Sequence, residues 1–252
     1  MSISNKINCL LKGYREVHLA GVKIRVPLKN DTEFWNSVDA NEWEMDTLSL
    51  YSEYLQPGTH YCDIGAWVGP TVIFAHHLGA RVTCFEPDVY AYEKLLANLR
   101  LNNLFDVRCF NLALGSSNGF REMGAMISSL GKSSTSFLGT KSLHKISVPC
   151  LKWDAVMDLF SLPKFDFIKI DIEGGEVELI PEMLGYFSEF SPMVLLSCHW
   201  NFLNEIEKSK LKSNIDSLKA IYKKVFMTHV NSLEEFDIKI HSCPAQLFFK
   251  NQ

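Results

Sequence analysis

Apolar and polar positions change rhythm along this chain, and the change marks where the main fold begins. Between Arg15 and Pro27, Val17, Leu19, Val22, Ile24 and Val26 alternate with polar residues around Gly21, which predicts a β-hairpin. Trp43, Leu48, Tyr51 and Leu55 then recur at helical spacing within Phe34–Leu55, and Pro57-Gly58 stops that pattern. From Thr59 onward, short apolar runs alternate with amphipathic segments. The runs His60–Ile64, Arg81–Phe85, Val107–Leu112, Phe165–Asp171, Met193–Cys198, Lys224–His229 and Gln246–Lys250 predict strands. Thr71–Leu78, Tyr90–Leu101, Val177–Leu184 and Asn204–Ile221 predict helices between most of them.

Such β-α alternation implies an α/β fold, with seven mainly parallel strands covered by helices on both faces. The expected division is an N-terminal hairpin and helical extension over residues 1–56, followed by a Rossmann-like domain over 57–252. Residues 116–146 interrupt the rhythm. They are rich in Ser, Gly, Thr and Lys, which predicts a long loop, a lid or a disordered segment.

Composition narrows the classes of function. An apolar fraction of 47% over 252 residues can fill a sizeable core, and the formal charge of −4 gives no basic excess. Nucleic acid is therefore not an expected partner, and Lys208, Lys210 and Lys212 read as the solvated side of a helix. No apolar run is long enough for a membrane span or a secretory leader. The seven cysteines are scattered without a C-x-x-C pair, and Cys62, Cys84, Cys109 and Cys198 fall in predicted strands. A reducing, cytoplasmic setting is the expectation.

The first chemical signal is Tyr61-Cys-Asp-Ile-Gly-Ala-Trp-Val-Gly-Pro70, a strand passing through a glycine loop into a helix. Gly65 suits a tight turn close to a ligand, and Pro70 suits a helix start. A dinucleotide loop has G-x-G-x-x-G spacing and amides facing a pyrophosphate. Here Gly65 and Gly69 are four apart, and Asp63 precedes the first. A carboxylate there repels a pyrophosphate but suits the cationic amino-acid end of S-adenosylmethionine, directly or through water. Glu86, in Cys84-Phe-Glu-Pro-Asp88, ends the second strand about 20 residues beyond the loop, where an acidic residue accepts hydrogen bonds from ribose hydroxyls. The third strand places Asn111 or Ala113 beside an adenine ring.

These motifs resemble the FkbM family of methyltransferases, within the class I S-adenosylmethionine-dependent fold. The matching pieces, between about Pro57 and Leu184, are Gln-Pro-Gly, Asp-Ile-Gly-Ala-x-x-Gly, Phe-Glu-Pro-Asp, Asn-Leu near Arg100, Asn-x-Ala-Leu-Gly and Lys-Ile-Asp-Ile-Glu-Gly-Gly-Glu. The resemblance implies methyl transfer to a hydroxyl group, often on a sugar, glycan or polyketide product. By their motif positions, the resemblance implies cofactor contacts from Asp63, Gly65 and Glu86; the expected cofactor site also takes in Ala66, Gly69, Pro87, Asn111 and Ala113. Trp67 departs from the family, which more usually has a small polar residue there.

Methyl transfer from a sulfonium needs the acceptor oxygen held in line and its proton removed. The fourth strand ends in Asp171 and Glu173, and the fifth leads into His199. These three form the expected reaction site. A neutral His199 imidazole could take the proton, or the three residues could hold a divalent ion. Lys169 is a structural ion-pair partner for Asp171 if the strand is regular. Glu176 and Glu178, in the first turn of a helix, are accounted for by the helix dipole. The Asn/Asp-Pro-Pro-aromatic run of amide and ring-nitrogen methyltransferases is absent after the fourth strand, which favours oxygen. Two other readings use the same fold: an NAD-dependent oxidoreductase or epimerase, and a non-catalytic binding domain.

Overall fold

A computed structural model describes residues 13–29, 31–125, 135–136, 145–229, 232–236 and 245–251. Strands β1 (Tyr14–Leu19) and β2 (Val22–Pro27) form the expected hairpin. The single helical pattern after it is two helices, α1 (Thr32–Asp39) and α2 (Met45–Tyr54). Asn41 and Glu44 adopt positive φ (57° and 39°) between them and break the helix without Gly or Pro.

The central sheet is built from β3 (His60–Ile64), β4 (Arg81–Phe85), β5 (Arg108–Phe110), β10 (Phe167–Ile170), β11 (Met193–Ser197), β12 (Lys224–His229), β13 (Ser232–Glu235) and β14 (Gln246–Lys250). Its order is β13-β12-β14-β11-β10-β3-β4-β5. The five strands from β5 to β11 are parallel, and β14 enters antiparallel between β11 and β12. The seven expected strands are all present. An eighth, β13, extends the β12 edge, so the sheet is mixed.

Helices α3 (Pro70–His77) and α4 (Val89–Leu101) follow β3 and β4; α5 (Trp153–Leu159) precedes β10, and α6 (Glu176–Phe190) and α7 (Glu205–Ile221) follow β10 and β11. Side-chain alternation along the strands divides the core. Ile168, Ile170, Val194 and Leu196 pack with α6 and α7, whereas Tyr61, Phe167, Leu195 and Phe248 pack with α3, α4 and the N-terminal segment. Val17, Leu19, Trp35 and Tyr51 therefore bury their surfaces in the same core as the sheet.

The interrupted region holds more order than its composition predicts. Strands β7 (Gly119–Ala125) and β9 (Lys145–Leu151) pair antiparallel, joined by β6 (Ala113–Leu114) and β8 (Thr135–Ser136) into a second sheet. Only Thr135 and Ser136 of the central Ser/Thr run lie within the described residues. This sheet is tied to α6 by Glu178, which accepts hydrogen bonds from Ser116 (2.9 Å) and Arg121 (2.5 Å). The Glu178 carboxylate thus has a specific partner as well as the helix dipole.

Chain reversal puts the site in one place. From β3 the chain runs outward through β4 and β5, then returns to start β10 on the other side of β3. Ligands of open α/β sheets bind at such a reversal, outside the carboxyl ends of the strands.

The hairpin is fastened by Asn102, after α4. It accepts a hydrogen bond from the Arg25 amide and donates to the Arg25 carbonyl, both at 2.8 Å. Asn102→Ala leaves those groups unpaired at the junction. The expected cost is about 1–3 kcal/mol, read as a lowered urea midpoint.

Candidate active site

At the β3–β10 boundary the two backbones almost touch. A β-carbon on Gly65, at φ 90°, would lie 1.8 Å from the Asp171 carbonyl oxygen. Glycine is thus required here by close strand-end packing rather than by a ligand's approach. Gly69 holds φ 86°, a left-handed conformation that strains other residues, and a β-carbon there would also press on the Leu95 side chain of α4 at 2.3 Å.

Loop amides are turned into the protein. Gly65 and Ala66 donate to the Phe85 carbonyl (3.0 and 3.1 Å), Gly69 to Ala66 (2.8 Å), and Trp67 to Glu86 Oε2 (2.8 Å). Four donors that would face a pyrophosphate in a dinucleotide loop are thereby committed, which contradicts the oxidoreductase reading.

Asp63 is fully buried. It accepts from Thr71 (2.6 Å) and Tyr61 (3.0 Å) and lies 3.4 Å from Lys169 Nζ. It does not line the cavity described below, so its direct contacts are with the protein. Glu86 is 7% exposed and accepts from Trp67 and Asp88 amides, one on each oxygen. Each oxygen retains a lone pair, so the residue still fits a ribose-hydroxyl acceptor. Burial pushes its carboxyl up to about 8, against the pull of the two amides. Asn111 donates to the Glu86 and Pro87 carbonyls (2.8 and 3.1 Å), shaping the strand-end turn. Ala113 is buried at the start of β6.

The predicted reaction residues do converge. His199 Nε2 lies 3.3 Å from Asp171 and 3.5 Å from Glu173. Ligand atoms of all three lie within 4.8 Å of one another, the one such His/Cys/Asp/Glu group among the described residues. Lys169 reaches Asp171 at 3.1 Å, so the ion pair expected from a regular strand exists, and it extends to Asp63.

Glu176 exceeds its expected helix-dipole role. Fully buried, it accepts from the Gly174 and His199 amides (2.8 and 3.0 Å), and it lies 3.3 Å from His199 Nδ1. The imidazole is therefore flanked by carboxylates on both nitrogens. Burial opposes its charge, but hydrogen bonds to Asp171 and Glu176 prevail and push it up to about 11. That charge state disfavours the neutral His199 base expected from the sequence, since an imidazolium has no lone pair to offer. Burial would raise Asp171, but the Lys169 ammonium and His199 hold it well below the usual carboxylate range. At Glu173, burial and neighbouring acids outweigh His199 and lift the carboxyl to about 7.

A cavity of about 550 Å³ opens beside this cluster. Gly65, Ala66 and Trp67 line one side, Asp171, Glu173 and His199 another, and Phe34, Trp43, Glu44 and Asp46 come from the N-terminal segment. The sequence motifs had not indicated Glu44.

The family model described as the methyltransferase FkbM domain matches residues 63–235, more than half of the chain. This chain belongs to the FkbM methyltransferase family. The methyltransferase FkbM from Methylobacillus flagellatus has a similar solved fold (TM-score 0.53, 17% identity), over 81% of this chain and 47% of that one. This chain thus spans about half the length of that relative. The O-methyltransferase from Bacillus cereus, solved with S-adenosylhomocysteine, is also similar (TM-score 0.44, 13% identity), over 83% of this chain and 80% of that one. No curated protein sequence matches. The likeness to the solved FkbM structure shows the α/β fold of the class I methyltransferases. Among the described residues, no helix is long and apolar enough to cross a membrane.

Glu86 yields a pH test. Its carboxyl titrates near 8 when folded and near 4.5 in the reference state, so the folded protein holds the extra proton. That contribution is fully present below about 4.5 and is lost as pH rises towards 8, with a slope of up to about 1.4 kcal/mol per pH unit. Unfolding free energies of wild type minus Glu86→Gln should therefore fall between pH 5 and pH 8. A flat difference would rule out the buried, protonated carboxyl.

Proposed function

We propose that this FkbM-family chain moves a methyl group from S-adenosylmethionine to a hydroxyl oxygen of a small molecule of the sugar, glycan or polyketide-product class. The observation that carries this reading is the convergence of Asp171, Glu173 and His199 beside Gly65, at the chain reversal where β3 and β10 meet. Glu86, Pro87, Asn111 and Ala113, at the ends of β4 and β5, would hold the nucleoside end of the cofactor. Gly65, Ala66 and Gly69 would shape its central part, with Asp63 acting from behind through Lys169 and Thr71. The cofactor, when bound, supplies a methyl group on a sulfonium leaving group.

The protein's own part is to orient the acceptor oxygen and accept its proton. As the methyl carbon gains its bond to oxygen and loses its bond to sulfur, the hydroxyl proton passes to a carboxylate of the cluster. Of the two cluster carboxylates that line the cavity, Glu173 is the one without a Lys169 ion pair. His199, fixed by Glu176, holds Asp171 and Glu173 in position and balances their charge. This assigns His199 a positioning role in place of the base role expected from the sequence.

One observation favours a second reading of the same cluster. Two carboxylates and an imidazole whose other nitrogen rests on a buried carboxylate have the chemistry of a divalent-metal ligand set. Asp171, Glu173 and His199 would then hold the ion, which would displace the Nε2 proton of His199 and polarise the acceptor oxygen.

Turnover measurements separate these readings. With a methylated acceptor in hand, Glu173→Gln should lower kcat by roughly 10²-fold or more while S-adenosylhomocysteine affinity stays within about twofold. Near-normal turnover would remove Glu173 from the reaction. Loss of wild-type activity in chelator, restored by magnesium, would favour the metal version.

A further inference from the structure

Glu44 stands outside the family match, which begins at residue 63, yet it lines the cavity beside the reaction cluster. Its Oε2 is shielded from water and has no hydrogen-bond partner. Buried carboxyl oxygens are normally satisfied, and each exception needs an explanation in ligand, water or strain. Glu44 also sits at φ 39° immediately before α2, in a backbone region that costs a non-glycine residue energy. The fold thus leaves one oxygen of a carboxyl that Thr47 otherwise hydrogen-bonds as an unpaired acceptor at the wall of this cavity.

The cavity's position identifies which ligand it faces. It lies over the ends of β3, β10, β11 and β14, with Gly65, Asp171, Ser197 and Gln246 among its lining. None of Glu86, Asn111 or Ala113 lines it; these lie towards β4 and β5, on the other side of Gly65. On the methyl-transfer reading, on which this inference rests, Gly65 and Ala66 form the edge of the cavity shared with the cofactor, and the wall carrying Phe34, Trp43 and Glu44 is the acceptor's side.

Its lining restricts the acceptor's chemistry. Phe34, Trp43 and Trp67 form a continuous aromatic wall, with Phe34 4.5 Å from Trp67 and 5.3 Å from Trp43 between ring centroids. Four acidic residues (Glu44, Asp46, Asp171, Glu173) share the lining with two basic ones, Lys169 and His199, both already paired to carboxylates. That balance disfavours phosphate or carboxylate on the acceptor. Aromatic faces beside hydrogen-bond acceptors suit a ring with C–H groups on one face and hydroxyls on its rim.

We propose that Glu44 is an acceptor-binding residue, taking a hydroxyl hydrogen bond from a neutral polyhydroxylated ring whose apolar face rests on Trp43 and Trp67. The N-terminal segment, rather than the family-wide part of the chain, thereby selects the acceptor.

Saturation-transfer NMR on the full chain loaded with S-adenosylhomocysteine tests this, using neutral methyl glycopyranosides and the corresponding 6-phosphates as probes. Calorimetry of S-adenosylhomocysteine and a thermal melt accompany each variant. The expected result is a neutral glycoside that binds while its 6-phosphate does not. Glu44→Ala should weaken that binding at least about tenfold, as for one hydrogen bond to a charged group. The isosteric Glu44→Gln should keep the fold and still weaken binding, and both variants should retain cofactor affinity. If S-adenosylhomocysteine binds but no neutral glycoside does, or if both Glu44 variants bind it like wild type, the inference is overturned and the cofactor reading stands. If S-adenosylhomocysteine itself does not bind, the methyl-transfer reading fails first.

Discussion

The site depends on one buried cation. Lys169 sits in mid-sheet, 3% exposed, with Asp171 3.1 Å and Asp63 3.4 Å from its ammonium. Its β10 position is in register with Asp63 on β3, so the two carboxylates belong to the two strands that flank the chain reversal. An isolated charge at this depth would be strongly unfavourable, and removing one partner of such a pair typically costs about 3–5 kcal/mol. The ammonium is held in its charged form by Asp171 and Asp63 against the pull of burial. It also lies 3.4 Å from the Gly65 carbonyl, so it binds the glycine loop to the strand that leads into Asp171 and Glu173.

From that anchor two chains of contacts spread. One runs inward through Asp63 to Tyr61, Thr71 and, at 2.5 Å from Tyr61, Tyr51 of α2. It connects the N-terminal segment to the glycine loop through buried polar groups, each of which has a partner. The other runs outward through Asp171 to His199, and then to Glu173 and Glu176. Alternating charge along this second chain lets three carboxylates share a half-buried space. Carboxylates beside both ring nitrogens also favour the imidazolium form of His199.

Much of this architecture was legible before any coordinates. Val194–Leu196 reads as a continuous apolar run and Phe167–Ile170 as one broken only by Lys169, both fitting buried parallel strands, and Gly69-Pro70 marks a helix start. Strand β13 was not legible, because Ser-Leu-Glu-Glu carries one apolar residue and owes its conformation to pairing with β12. The break between α1 and α2 was hidden because Asn41 and Glu44 make left-handed turns without glycine. Asp171, Glu173 and His199 were recoverable because strand ends converge in a sheet of this topology. The charge of His199 was not, since it depends on Glu176, which a helix start 23 residues away in sequence brings to its other nitrogen. Glu44 left no signal, since an acidic residue in a polar stretch is ordinarily solvated.

The central claim is that this glycine loop, with its amides turned inward and its acidic neighbours, serves S-adenosylmethionine chemistry. Calorimetric titration of the full chain with S-adenosylhomocysteine and, separately, with NAD tests it most directly. The account predicts binding of S-adenosylhomocysteine in the micromolar range and none of NAD. Binding of NAD with no response to S-adenosylhomocysteine would contradict it and leave only the fold in place.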